Sequence, residues 1–235
     1  MTALDLRTRI DRLAHWLLES EHLVVFTGAG LSTDSGIPDY RGPDGLWTRE
    51  AKGLPAKTVD FSSAGPNAGH LAIVELQRIG KLAFLISQNV DNLHLTSGIR
   101  PDLLAELHGN IARLRCNICE FLADNVGNPV PCPICGGQMV SSVVHFGQSL
   151  PQQDLASAYW HSERSDLFLV VGSSLVVTPA ADMPRVAARS GARLVIINQG
   201  ETPLDRVANL RFEESIAEVL PPAVSLLKGL MTKRT

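Results

Sequence analysis

Four short apolar runs, residues 23–26, 82–86, 167–171 and 194–197, are each followed directly by Thr, Ser, Gly or Asn, and this recurrence constrains the fold more than any other feature. Runs of that length, apolar throughout and rich in Val, Ile and Leu, suit strands buried on both faces of a parallel sheet. Helix-like stretches at 69–79, 151–162 and 180–190 lie between them, and Leu6, Ile10, Leu13 and Leu17 form the stripe of an amphipathic first helix within 5–20. The alternation predicts an α/β fold, a doubly wound, Rossmann-like parallel sheet. Ligands of such sheets bind beyond the carboxyl ends of the strands, where Thr27-Gly28, Ser87-Gln88-Asn89, Gly172-Ser173 and Asn198-Gln199 stand. Four loops are therefore expected at one edge.

Gly28 and Gly30 predict a turn that brings backbone close to an anion, and a helix starting just after them would aim free N–H groups at a pyrophosphate. Thr33 stands where the common dinucleotide fingerprint has its third glycine, so a plain strand-to-helix turn is the alternative. Residues 42–68, rich in Gly, Pro, Lys and Ser, predict a mobile loop or short helices over the cofactor. All four cysteines fall in Cys116-x-x-Cys119 and Cys132-x-x-Cys135, 12 residues apart, somewhat less than the usual ribbon span. Turns at Asn128-Pro129, Pro131 to Pro133 and Gly136-Gly137 suit a closed tetrahedral zinc site in a small insertion, residues 109–147, between the 1–108 and 148–235 parts of the dinucleotide-binding domain. Redox pairs fit less well, because neither pair opens a helix after a strand. A nucleic-acid ribbon is opposed by Glu120 and Asp124, with no Lys or Arg between the pairs.

A net charge of −3, from 21 basic and 24 acidic residues, offers no general attraction for nucleic acid. No apolar run approaches the ~18 residues of a membrane span, and Asp5, Arg7, Arg9 and Asp11 interrupt the N-terminal apolar pattern. The expectation is a soluble, cytoplasmic protein, monomeric, with no membrane or nucleic-acid partner.

Seven segments in order carry a resemblance: Gly36-Ile37-Pro38-Asp39-Tyr40-Arg41-Gly42 with Gly45-Leu46-Trp47; Gln88-Asn89-Val90-Asp91-Asn92-Leu93-His94; Leu107-His108-Gly109; the paired cysteines; Phe146-Gly147-Gln148; Gly172-Ser173-Ser174-Leu175-x-Val177-x-Pro179; and Ile197-Asn198 through Thr202. Over roughly residues 20 to 220 the chain resembles the sirtuins, the NAD-dependent protein lysine deacylases. That resemblance implies NAD and Zn2+ as cofactors and acylated-lysine proteins or peptides as partners.

It also implies site roles. His108 is the catalytic base, a neutral imidazole that accepts a ribose proton near pH 7. Asp91 holds the nicotinamide carboxamide, while Gln88 and Asn89, the latter also in the catalytic set, orient the ribose and a water, and Val90 belongs to the cofactor set. Gly28, Ala29, Gly30, Ser32, Ile37 and Asp39 belong to the cofactor set; Arg41 meets phosphate, and Tyr40, usually Phe in the family, and Trp47 cover the reactive sugar. Gly172, Ser173 (usually Thr), Ser174, Asn198, Gln199 and Gly200 hold the adenosine side, with a backbone contact at Ile216. The substrate would add as a strand between segments around 143–147 and 174–177, touching Val144, His145, Phe146, Gly147, Leu175 and Val176. Gln148 replaces the family's Glu, and the His145 side chain is expected to point away from the tunnel. His94 is read as structural, like His15, His22, His70 and His161.

The implied reaction joins the acyl-lysine carbonyl oxygen to the anomeric carbon as nicotinamide leaves, and ends in free lysine and O-acyl-ADP-ribose. Water must be kept out, since early attack would merely hydrolyse NAD. Mono-ADP-ribosyl transfer to protein is the alternative activity, and a silent NAD-binding or zinc-mediated interaction module a third. Residues 48–66 hold no Tyr and only Arg49, so the Tyr-x-x-Arg of dicarboxylate-preferring members is missing. Acetyl-lysine is the default substrate, although the Arg41 to Trp47 variant resembles a branch that also accepts long fatty acyl groups.

Overall fold

The computed structural model describes residues 5–55, 57–61, 63–127 and 130–233. In chain order the strands are β1 (Leu23–Thr27), β2 (Leu82–Ser87), β3 (Leu104–Glu106), β4 (Arg113–Cys116), β5 (Leu122–Asp124), β6 (Met139–Ser141), β7 (Leu167–Val171), β8 (Arg193–Ile197) and β9 (Leu210–Phe212). The helices are α1 (Leu6–Glu19), α2 (Leu46–Ala51), α3 (Ala68–Arg78), α4 (Leu93–Ser97), α5 (Gln152–Arg164), α6 (Met183–Arg189) and α7 (Ile216–Thr232).

Six strands pair in parallel in the order β3-β2-β1-β7-β8-β9. Along β1 the pleat sends Leu23 and Val25 to one face, with Leu13, Leu76 and Leu220 of α1, α3 and α7, and Val24 and Phe26 to the other, with Ala158, Met183 and Ala187 of α5 and α6. Both faces are apolar because helices cover both, the doubly wound arrangement that the unbroken apolar runs imply. The chain builds outward from β1 to β3 and then returns to place β7 beside β1. That reversal opens a crevice between the loops that follow β1 and β7.

The second sheet, β5-β4-β6, is antiparallel and lies wholly within residues 113–141. Its own core is small: Leu114, Cys116, Cys132 and Met139. Part of the 42–68 segment winds into α2. The Asn128-Pro129 turn, and Ala56 and Ser62 within that segment, lie outside the described residues.

Two expectations require correction. The glycine turn leads into a seven-residue 3-10 turn, Ala29–Ser35, rather than an α-helix. The 180–190 stretch divides into a 3-10 turn at Ala180–Asp182 and the helix α6. Helix α7 runs on past Lys228 as far as Thr232; Val219, Leu220, Ala223, Val224 and Leu227 bury one stripe and a Ser215/Glu218 capping box fixes the start. Among the described residues no helix is long and apolar enough to cross a membrane.

Candidate active site

A cleft of about 660 Å³ opens at the carboxyl ends of the parallel strands. Every residue expected to touch cofactor, substrate or the reacting atoms lines it except Gly28, Leu175 and Ile216. Leu175 is buried in the apolar layer beneath α5 and α6, and Ile216 packs on the opposite core. Val59 and Phe61, Leu150 and Glu201 line the cleft as well. No periodicity or motif marks Val59, Phe61 or Leu150 in the sequence, whereas Glu201 falls within the Ile197 to Thr202 segment.

The two glycines of the turn serve a different approach from the one expected. A Cβ on Gly28 would stand 2.7 Å from the Gly172 carbonyl oxygen, and one on Gly30 2.9 Å from Gly172 Cα. Their amides are spent on the same neighbour: Gly28 N–H donates to Val171 O and Gly30 N–H to Gly172 O. These glycines therefore lock the β1 loop onto the β7 loop, and their N–H groups do not face a phosphate.

Beneath that seam runs a buried polar relay. The Asn89 amide donates to Ser32 Oγ at 3.1 Å, the Ser32 hydroxyl donates to Asp91 Oδ2 at 2.6 Å, and Asp91 Oδ1 accepts Leu93 N–H at 2.9 Å. Among the described residues Asn89 Oδ1 is buried with no partner. An unmet buried acceptor costs about 1–3 kcal/mol, so this atom fits a donor brought by a ligand, such as a carboxamide, a hydroxyl or a water. The residues present thus suit a nicotinamide riboside. On the adenosine side Asn198 donates its amide to the carbonyls of Gln199 and Gly200, both at 3.1 Å, which shapes that loop.

His108 reaches the cleft from the turn after β3. Its Nδ1 lies 3.0 Å from the Gln88 carbonyl oxygen, which can only accept, so Nδ1 carries the proton and Nε2 keeps its lone pair. Burial lowers the His108 pKa below its ordinary value, against the Gln88 hydrogen bond, so the ring is neutral at pH 7. Gln88 is itself aligned by the Ser173 hydroxyl, which donates to its Oε1 at 2.7 Å. The Ser173 hydroxyl suffices for that contact.

Aromatic side chains cover the cleft. Tyr40 packs on Trp47 with centroids 5.0 Å apart, Trp47 meets Phe146 at 5.8 Å, and the Arg41 guanidinium sits 4.4 Å over Trp47. Arg41 also reaches Ser174 Oγ at 3.5 Å, bridging the cover to the β7 loop. Phe146 is 80% exposed and Val176 52%, which leaves an apolar rim open beside the cover. Val144 N–H donates to the His108 carbonyl, tying this rim to the imidazole turn. Gln148 closes a turn by accepting His145 N–H at 2.8 Å through Oε1.

His94 and His70 form a separate buried pair with ring centroids 5.2 Å apart. His94 Nε2 lies 2.8 Å from Thr27 Oγ1, and His70 Nδ1 accepts Asn67 N–H at the start of α3. Both brace the floor behind the relay.

The four cysteine sulfurs all lie within 4.8 Å of one another, and three of their separations are 3.5, 3.6 and 3.5 Å. A tetrahedron with Zn–S bonds of about 2.3 Å has edges of about 3.8 Å, so the cluster fits a closed zinc site.

The Sir2 family profile matches residues 54–179. NAD-dependent protein deacetylase 1 of Bradyrhizobium diazoefficiens is 38% identical over 254 residues, covering 95% of this chain and 98% of the relative. The NAD-dependent protein deacetylases SRT1 of Oryza sativa subsp. indica and of Arabidopsis thaliana are each 42% identical, covering 92% and 87% of this chain but 47% and 46% of the relatives. The chain therefore spans about half the length of these plant relatives. Among solved structures, one from a study of the mechanism and regulation of Sir2 enzymes is 37% identical with a TM-score of 0.77, covering 95% of this chain and 99% of that one. A complex of Sir2 with a p53 peptide and NAD+ is 33% identical with a TM-score of 0.71, covering 96% and 98%. The chain belongs to the Sir2 family.

Proposed function

We propose that the protein is an NAD-dependent protein-lysine deacylase that releases nicotinamide and O-acyl-ADP-ribose. One observation carries the reading: the free Nε2 of His108 and the unpartnered Oδ1 of Asn89 share a single cleft beneath an aromatic cover. Bound NAD would supply an electrophilic ribose carbon and a nicotinamide leaving group. Ser32, Asn89 and Asp91 hold the nicotinamide end, while Ser173, Ser174 and Asn198 hold the adenosine side. Tyr40 and Trp47 keep water from the sugar, so that an amide oxygen reaches it first. His108 Nε2 takes a proton from a ribose hydroxyl, and the Gln88 carbonyl holds the Nδ1 proton in place while it does so.

Acyl-lysine segments would lie along the rim formed by Val144, Phe146 and Val176. Acetyl is the default acyl group. Cys116, Cys119, Cys132 and Cys135 would hold zinc in a structural role within a 109–147 insertion, with 1–108 and 148–235 as the NAD-binding domain and 42–68 as its cover. The names of the relatives favour deacylation over mono-ADP-ribosyl transfer. Bacterial and archaeal relatives support a cytoplasmic setting; gel filtration tests the monomer included in this reading. His108→Ala tests the chemistry: release of free lysine should fall at least ~100-fold, in line with loss of a general base, with zinc content unchanged. Retained deacylation in that variant would reject the role of His108.

A further inference from the structure

Asn110 is a joint between three segments of the cleft. Its Nδ2 donates to Asn92 Oδ1 at 2.9 Å and to Glu106 Oε1 at 2.6 Å, and its Oδ1 accepts Ala112 N–H at 2.8 Å. Its backbone N–H donates to Ser142 Oγ at 3.0 Å, and the Ser142 hydroxyl returns a bond to the Asn110 carbonyl at 2.8 Å. Asn92 ends the loop that bears Asn89 and Asp91, Glu106 and Asn110 flank the turn that bears His108, and Ser142 leads to Val144. The three are fastened at one buried residue, 1% exposed, whose side chain holds Asn92 and Glu106 and whose backbone holds Ser142.

Glu106, at the end of β3, is only 9% exposed, and its partner is an amide rather than a cation. The charged groups facing it are Arg113 of β4, Asp154 of α5 and Asp91 of the loop after β2. Burial pushes its carboxyl up to about 7; the Asn110 hydrogen bond and Arg113 oppose that rise, while Asp154 and Asp91 add to it. Nothing in the deacylation chemistry uses this carboxyl.

We propose that Glu106 is a positioning residue: through Asn110 it locks the loop bearing Asn89 and Asp91 to the turn bearing His108, and its carboxylate is the form that closes the lock. A hydrogen bond to a carboxylate is about twice as strong as one to a neutral acceptor, so protonation weakens the contact that holds Asn110 against Asn92. The lock closes as pH rises through the Glu106 titration. Burial moves the His108 titration below its ordinary value, the opposite direction from the shift of Glu106. The effect on turnover rests on the deacylase reading, whereas the positional claim does not.

The test follows the His108 ring and the Asn92 and Asn110 side-chain amides by NMR from pH 5 to 9 in zinc-loaded protein, with nicotinamide release from acetyl-lysine peptide measured in parallel. In wild-type protein the three sets of signals should move together near pH 7. In Glu106→Gln, which keeps the shape and a neutral acceptor, that step should vanish while the titration of His108 itself stays. Its kcat should fall about tenfold at pH 8 and lose the limb near 7, with KM for NAD nearly unchanged. Asn110→Ala should lose at least as much, and the double variant no more than Asn110→Ala alone. The wild-type titration needs no substitution, so it decides the matter even if a variant fails to fold. Absence of a shared step near 7, or its persistence in Glu106→Gln, overturns the proposal. Wild-type protein that shows the step but releases no nicotinamide defeats the deacylase reading alone.

Discussion

Gly109 shows how little freedom the residues of the cleft retain. It has φ +76°, and a Cβ there would stand 1.9 Å from the Ser142 carbonyl oxygen, so His108 is followed by a position that backbone geometry and space both reserve for glycine. Gly109→Ala should destabilise the fold by more than about 2 kcal/mol, because strain and overlap act at one site. Urea unfolding measures this, and an unchanged midpoint would contradict it. His108 and the four cysteines are legible in the sequence because short motifs carry them. The unmet Asn89 oxygen is not, since it depends on which way Ser32 is turned by Asp91. Gly28 and Gly30 are legible as glycines but not in their purpose, which lies far along the chain at Gly172.

Elements differ in legibility according to length and pattern. The central strands β1, β2, β7 and β8 stand out as apolar runs; β3 and β9, three residues each, are too short to show a period and emerge only as neighbours in the finished sheet. Pro221-Pro222 conceals α7, although its buried stripe and capping box hold it as a helix. The start of α3 and the start of α4 meet at the His70 and His94 pair, and burial sets the pH response of that junction. The pKa of His94 is lowered to about 3 and that of His70 to about 4, in both by burial first. Unfolded, each returns to about 6.5, so between roughly pH 6.5 and 4 the unfolded chain binds more protons and stability falls as pH falls. The slope is up to about 1.4 kcal/mol per pH unit for each imidazole. His70→Gln should remove its share of the slope in urea unfolding between pH 6.5 and 5; a slope equal to that of wild type would contradict this assignment.

At the scale of the whole molecule two unequal cores are joined through the segments at either end of the small sheet. The parallel sheet carries extensive apolar layers on both faces, whereas β4, β5 and β6 share a few side chains and the cysteine cluster. Removing zinc with a chelator should therefore expose amides of residues 113–141 to hydrogen exchange while β1 and β7 stay protected. Equal loss of protection in both would show that the cores are not separable. The central claim is that the cleft releases nicotinamide only when an acyl-lysine oxygen is present to capture the sugar. Nicotinamide release by the zinc-loaded protein, measured with NAD alone, with an unmodified peptide and with its acetyl-lysine counterpart, tests this most directly. The account predicts release with the acylated peptide, matched one for one by free lysine and O-acyl-ADP-ribose. No release with acetyl-, butyryl- or myristoyl-lysine peptides, or equal release without any peptide, would contradict it.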